Sequence, residues 1–339
     1  MASGCRVAST FGTLDRMSTV VRGLGGMVPS TVLLVEPSPA SPIAATGRPT
    51  GVLRDELRRI PNGLNAVSIV SCWVQIIGIL VGAMWWGHPF GWVIAFILMG
   101  RAHAQLAALM HEAAHRLLFR RKAVNDWVGR WLLGYPGLTN VDGYRRVHMA
   151  HHRQEFGPDE PDIPLYIGYP ITPASLRRKL TRDLTGRTGG KLLRAQLRSW
   201  RSPDPRPRRT LYKILGVQAA LAATSALAGY PFVYWLLWLL PYLTVWRVIN
   251  RLRSIAEHGG MMQSPDRRET THSVVQHLGA RSFLVPYWIG WHLAHHCDSG
   301  VPMRHLPRFH RELIASGYIA ADLEYPSYRA LWRQLTTSG

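Results

Sequence analysis

Apolar positions in this chain gather into four long runs, not the short alternations of a soluble domain. The first extends from about Leu64 to Trp86 without a charged residue. The second starts near Phe90, is wholly apolar to Gly100, and continues through Arg101, His103 and Gln105 towards His111. Between them, Trp85-Trp86-Gly87-His88-Pro89 reads as a tight turn with aromatic residues suited to a membrane interface. The third run covers about Leu211 to Ala228, and after Gly229-Tyr230-Pro231 the fourth extends from Phe232 to about Ile249. Each approaches the roughly 20 residues a spanning helix needs. The pattern predicts an all-α, polytopic membrane protein with four transmembrane helices, at about 64–86, 90–110, 211–228 and 232–250. Short outer turns arrange them as two helical hairpins.

The flanking segments differ in character. Residues 1–60 are rich in Ser, Gly, Pro and Thr and are expected to be loosely ordered, with Met17 and Met27 as possible alternative starts. A compact apolar region behind a basic start, the mark of a signal peptide, is not evident there. Residues from about Leu53 to Leu64 could form an amphipathic helix leading into the first span. Residues 61–310 then form the membrane domain, and 311–339 a C-terminal cytosolic tail.

Charge fixes an orientation. The formal net charge is +20 with 47% hydrophobic residues and 13 Trp, and the arginines crowd between the apolar runs. Two hairpins would leave residues 1–63, 111–210 and 251–339 on one side, and those segments hold nearly all the arginines. Positive loops stay cytoplasmic, so this face is expected in the cytosol with both termini. Clusters such as Arg177, Arg178, Lys179, Arg206, Arg208 and Arg209 suit a face beside anionic headgroups. No recognised nucleic-acid motif accompanies them, so nucleic acid is not an expected partner. Cys5, Cys72 and Cys297 are widely spaced without CxxC, which gives neither a disulfide framework nor a zinc ribbon and fits a reducing compartment.

The same side carries the candidate chemistry. His111 and His115 stand in HEAAH, His148, His151 and His152 in HMAHH, and His292, His295 and His296 in HLAHH. Imidazoles at i with i+3 or i+4 share one helix face, and neutral imidazole is the commonest metal ligand. Eight of them exceed what one tetrahedral zinc can use. Two metals are the natural reading, held in a histidine-rich helical cap on the cytosolic side.

HEAAH at the end of the second span, HMAHH about thirty residues later and HLAHH after the fourth span resemble the integral-membrane fatty acid desaturase and hydroxylase family, over about residues 60–310. The resemblance implies two iron ions in a histidine cage and O2 as co-substrate. It implies removal of two hydrogens from an acyl chain, or insertion of one oxygen. It also implies that a histidine in the helix after the fourth span completes the metal shell, a role that His258 in Glu257-His258-Gly259-Gly260 matches. A shell of imidazole suits iron, whereas thiolate would be vulnerable to the oxidants formed.

Carboxylates near the boxes would orient imidazoles through the second ring nitrogen; Glu112, Glu257, Asp159 and Asp162 are the candidates. Arg251 and Arg253 are candidates for a substrate head group. The substrate would be an acyl lipid, acyl-CoA or acyl-carrier protein. HPGG, the haem motif of a fused cytochrome b5, is missing, so electrons must come from a separate carrier such as a ferredoxin or flavoprotein reductase. That absence and the preference for Arg over Lys suggest a bacterial cell membrane.

Desaturation is favoured over hydroxylation, which shares the ligand set. A remote alternative is an intramembrane zinc protease, because HEAAH satisfies HExxH with Glu112 as base, with Asp142 as a possible third ligand. That reading leaves both HxxHH triplets without a role. Of the other histidines, His88, His103, His272, His277, His305 and His310 are expected to be structural or at the surface.

Overall fold

The structure, a computed structural model, describes residues 24–157, 160 and 162–336. It is mostly helical. After a helical turn at Thr31–Leu33, α1 (Gly51–Leu57) leads into α2 (Asn62–Trp86). Gly87, at φ 62°, takes the left-handed position that ends α2. Pro89 then occupies the first position of α3 (Pro89–Ala114), where its missing N–H costs nothing, and His88 Nδ1 accepts from Phe90 N at 3.2 Å. Short α4 (Lys122–Val128) continues into a π-helical turn at Gly129–Gly134. α5 (Val141–Arg153) follows, capped by Asn140 Oδ1, which accepts from Gly143 N at 3.0 Å.

The stretch before the third span is itself helical: α6 (Ile163–Tyr166), α7 (Pro173–Leu184) and α8 (Arg187–Leu197). α9 (Pro205–Leu227) starts with Asp204 Oδ1 accepting from Arg206 N at 2.9 Å, so the helix begins six residues before the apolar run and carries a charged first turn. The fourth segment is broken: α10 (Pro231–Val233), a π-helical turn at Tyr234–Leu239, α11 (Leu240–Leu243) and α12 (Val245–His258). Pro241 supplies no N–H to the ladder, and Thr244 leaves helical geometry at φ −122°, ψ −85°.

Among the described residues, four segments are long and apolar enough to cross a membrane: 51–86, 89–114, 205–227 and 231–258. Their outward faces are apolar, with Val67, Val70, Val74, Ile77 and Val81 exposed along α2. α3 behaves differently. From Ala102 to Ala114 nearly every residue is buried, because this half is wrapped by protein. Leu106 and Leu109 there, and Met99 just before, are fully buried, each contributing about 2 kcal/mol. Gly100 lets α12 approach closely, since a Cβ would stand 2.3 Å from Val245 Cγ1.

The remaining chain forms α13 (Leu278–Phe283), α14 (His292–Cys297), α15 (Leu306–Ala315) and α16 (Tyr328–Gln334). The expected boundary at residue 310 falls inside α15, and Leu313, Tyr318 and Leu331 beyond it are fully buried. One minimal parallel pair, Ser273–Val274 with Glu324–Tyr325, ties these C-terminal residues to the approach to the third histidine box. The described N-terminal residues also pack. Ile43, Leu53 and Leu57 join the main core, and Arg58 pairs with Asp298 at 2.6 Å, just past the third box. Met17 lies outside the described residues.

Candidate metal centre

Four helix ends converge. His111 and His115 stand one turn apart at the end of α3, where the chain turns through Arg116 at φ 62°. α5 buries only four residues, Val141, His148, His151 and His152, so its whole buried face is the second box plus one anchor. α12 ends on His258, and six-residue α14 carries His292, His295 and His296, all buried. The nine histidines anticipated as ligands therefore meet in one place.

They divide into two groups. His111, His115, His148, His152 and His295 have ligand nitrogens within 4.8 Å of one another, as do those of His151, His258 and His296. His292 joins the latter: its Nε2 lies 3.1 Å from His258 Nε2 and 3.0 Å from His296 Nε2. In the first group Nε2–Nε2 separations are 2.9 Å for His115–His148, 3.1 Å for His148–His152 and 3.0 Å for His152–His295.

These spacings test whether metal ions fit. Nitrogens at about 2.0–2.1 Å from a common ion, at right angles, would stand about 3 Å apart, which is the separation observed. Nitrogens aimed at one point cannot satisfy each other as a set, since neutral imidazole has one donor and one acceptor. Among the described residues, neither ring nitrogen of buried His111 has a hydrogen-bond partner. Burial, reinforced by neighbouring imidazoles, pushes His148, His152 and His296 well below the ordinary histidine pKa, and burial with the Arg145 charge lowers His115 to about 3. Neutral rings keep the lone pair a metal needs. The donor set fits two ions, one in each group.

The outer nitrogens are held deliberately. His151 Nδ1 donates to Glu160 Oε1 at 2.6 Å. Burial alone would lower His151, yet the bond and charge of Glu160 raise it. His296 Nδ1 bonds Glu155, which also pairs with Arg267 at 2.6 Å. His258 Nδ1 donates to Thr270 O at 2.8 Å. His292 Nδ1 is the exception: it makes no hydrogen bond among the described residues, and Glu257 Oε1 lies 3.5 Å away.

Of the carboxylates anticipated for this role, Glu257 thus lies beside a ligand ring. Glu112 is turned away and accepts from Met303 N at 3.0 Å. The Asp162 carboxylate feels the charge of His151 but has no hydrogen bond among the described residues, and Asp159 lies outside them. Sequence reasoning missed Glu155 and Glu160. The available signal was their position, three and eight residues after His152 in RQEFGPDE.

Both arginine candidates are already engaged. Arg251 is bound by both oxygens of buried Asp183 on α7, and Arg253 Nε donates to Glu257 at 2.6 Å. Asp142, the possible protease ligand, is instead held by Arg130 through two bonds of 2.9 Å. Among the other histidines, His103 bonds Trp238 O, His272 donates to Gly259 O, His277 to Pro326 O, and His310 pairs with Glu324. Each has structural work away from the two groups.

Comparison with known proteins adds an independent finding. A family model described as fatty acid desaturase matches residues 83–330. Dihydrorhizobitoxine desaturase of Bradyrhizobium elkanii is 23% identical over 266 residues, covering 72% of this chain and 73% of that protein. The sn-1 oleoyl-lipid 12-desaturase of Arthrospira platensis is 27% identical over 105 residues, covering 29% of this chain and 30% of that protein.

Proposed function

We propose that this chain, which belongs to the fatty acid desaturase family, is a membrane-bound di-iron enzyme that converts a C–C bond of an acyl chain into C=C. The balance is one O2, two electrons and two protons consumed, two hydrogens removed from adjacent carbons, and two waters formed. Two irons, when bound, would supply the dioxygen activation that breaking an unactivated C–H bond requires. The observation that carries the reading is the cage of nine imidazoles in two groups.

The chain's own residues bind and orient. The five histidines of the first group and the four of the second would each hold one ion. Glu160, Glu155 and the Thr270 carbonyl fix which ring nitrogen faces it and raise its basicity. Neutral imidazole ligands would leave the charge of bound ions uncancelled and the ions electrophilic. The buried walls of α3, α12 and α14 exclude water from that charge.

Both relatives carry the name desaturase, which supports desaturation over hydroxylation; the second is named for an oleoyl lipid, which supports an acyl chain as substrate. Electrons come from a separate carrier, and the open basic hollow formed by Arg177, Arg178, Lys179, Arg182 and Arg187 suits an acidic one. With positive loops inside, the four spans form two hairpins whose histidine-bearing end is a cytosolic cap.

Mass spectrometry of acyl species from cells expressing the wild type and His295→Ala tests this. Loss of two hydrogens from one species, seen only with the wild type, is the expected result. Gain of one oxygen would make the enzyme a hydroxylase, and identical profiles in cells whose wild-type protein is metal-loaded would contradict an ordinary acyl substrate.

A further inference from the structure

One charge within the spanning helices has no part in the metal centre. Arg101 lies on α3 ten residues before His111, about 15 Å along the helix axis. Its Nε donates to Ser282 O at 2.7 Å, and its Nη1 donates to Gln75 Oε1 at 2.6 Å and Gln105 Oε1 at 3.0 Å. All three partners are neutral. Among the described residues Nη2 has no partner, and no carboxylate pairs with the group. Guanidinium stays protonated in proteins, and a charge inside a span is costly unless something answers it.

Arg101 closes one end of a trench of about 790 Å³ between α2 and α3. Beyond it the walls are apolar, and Trp85 and Trp86 stand at the far end. The α2 face changes character along this line, with Ser71 and Gln75 near the guanidinium, then Gly78 and Gly82 towards Trp86. A Cβ at Gly78 or Gly82 would meet nothing within 4 Å, so the floor is open space. From Arg101 to Gly91 the trench runs about 15 Å, half the roughly 30 Å hydrocarbon core and the reach of one leaflet's acyl chain. A single cationic end on an apolar slot of that length complements a single-chain carboxylate, and guanidinium is the residue best matched to that head group.

We propose that this trench binds a free long-chain carboxylate, with its head on Arg101 Nη2 and its tail along Gly78 and Gly82 towards Trp86. The tail runs away from the histidines, so the ligand is held apart from the reacting position. The inference needs no assumption about the reaction at the metal centre.

The test is photolabelling of the full chain in phosphatidylcholine nanodiscs with palmitate bearing a diazirine at its methyl end. Labelling is expected on the turn around Trp85 and Trp86. It should fall about tenfold or more in Arg101→Gln, which removes a charge-assisted bond, and equally in Gly82→Leu, which puts a side chain into the slot at a position where a Cβ meets nothing within 4 Å. Wild-type metal content in each variant certifies the fold, and if Arg101→Gln fails that check, Gly82→Leu decides. Unchanged labelling in the certified variants overturns the proposal. So does equal labelling by the uncharged methyl ester. Arg101-dependent labelling by a diazirine-tailed phosphatidylglycerol but not by palmitate would give the trench to a phospholipid and overturn it too.

Discussion

Glu160 offers the sharpest perturbation of the metal cage. Its Oε1 accepts from His151 Nδ1 at 2.6 Å, and its Oε2 accepts from the Phe156 backbone N–H. Phe156 itself sits at φ 57°, a left-handed position that needs support from its surroundings. Glu160→Ala would leave the buried His151 Nδ1–H without an acceptor, a cost of about 1–3 kcal/mol. At about 1.4 kcal/mol per decade that is roughly a tenfold to hundredfold loss of metal affinity, the range known for losing a carboxylate behind a metal-bound imidazole. The loss should fall on one ion only, because His151 belongs to the second group. Glu160→Gln keeps an acceptor for Phe156 but loses the charge, and should lie between wild type and Ala. The assay is iron retained per chain against a graded chelator, with thermal unfolding in parallel. The Ala variant should release about one of two irons at ten- to hundredfold lower chelator. Retention of both irons at wild-type chelator levels would refute the reasoning.

Other expectations follow from the same contacts. Asp183→Asn breaks the buried pair with Arg251 and should cost about 3–5 kcal/mol, read as a lowered unfolding temperature; a loss below about 1 kcal/mol would place this pair with exposed ones. Glu112→Gln should leave double-bond formation within about threefold of wild type, because its amide oxygen can still accept from Met303 N–H. Abolished turnover with intact metal content would return Glu112 to the chemistry. Gly100→Ala forces a Cβ against Val245 and should destabilise by about 1–3 kcal/mol. Gly216→Ala meets nothing within 4 Å and should stabilise by about 0.5–1 kcal/mol, a contrast that denaturant titration of the two variants checks.

The histidine boxes were legible because a metal site would impose residue type and helical spacing together. The apolar runs were legible because a membrane imposes length. His258 was visible only through family likeness, since a lone histidine before Gly259-Gly260 equally suits a helix end. Glu155 and Glu160 escaped because they lie past the end of α5 in a stretch without periodicity, where facing His296 and His151 depends on the turn through Phe156. Glu112 misled for the opposite reason: adjacency to His111 in sequence puts it on another face of α3, against Met303. The break at Thr244 had a visible cause in Pro241, but the run reads as continuous because hydropathy does not register a lost hydrogen bond. Burial of Tyr318 and Leu331 depends on long-range packing that no local pattern announces.

The most direct test of the central claim is the metal content of the purified chain by elemental mass spectrometry. Nine imidazoles in two groups predict two irons per chain, falling to about one in a variant that loses His258 and His292 together. One zinc per chain, or a single iron unaffected by that double change, would contradict a dinuclear iron centre.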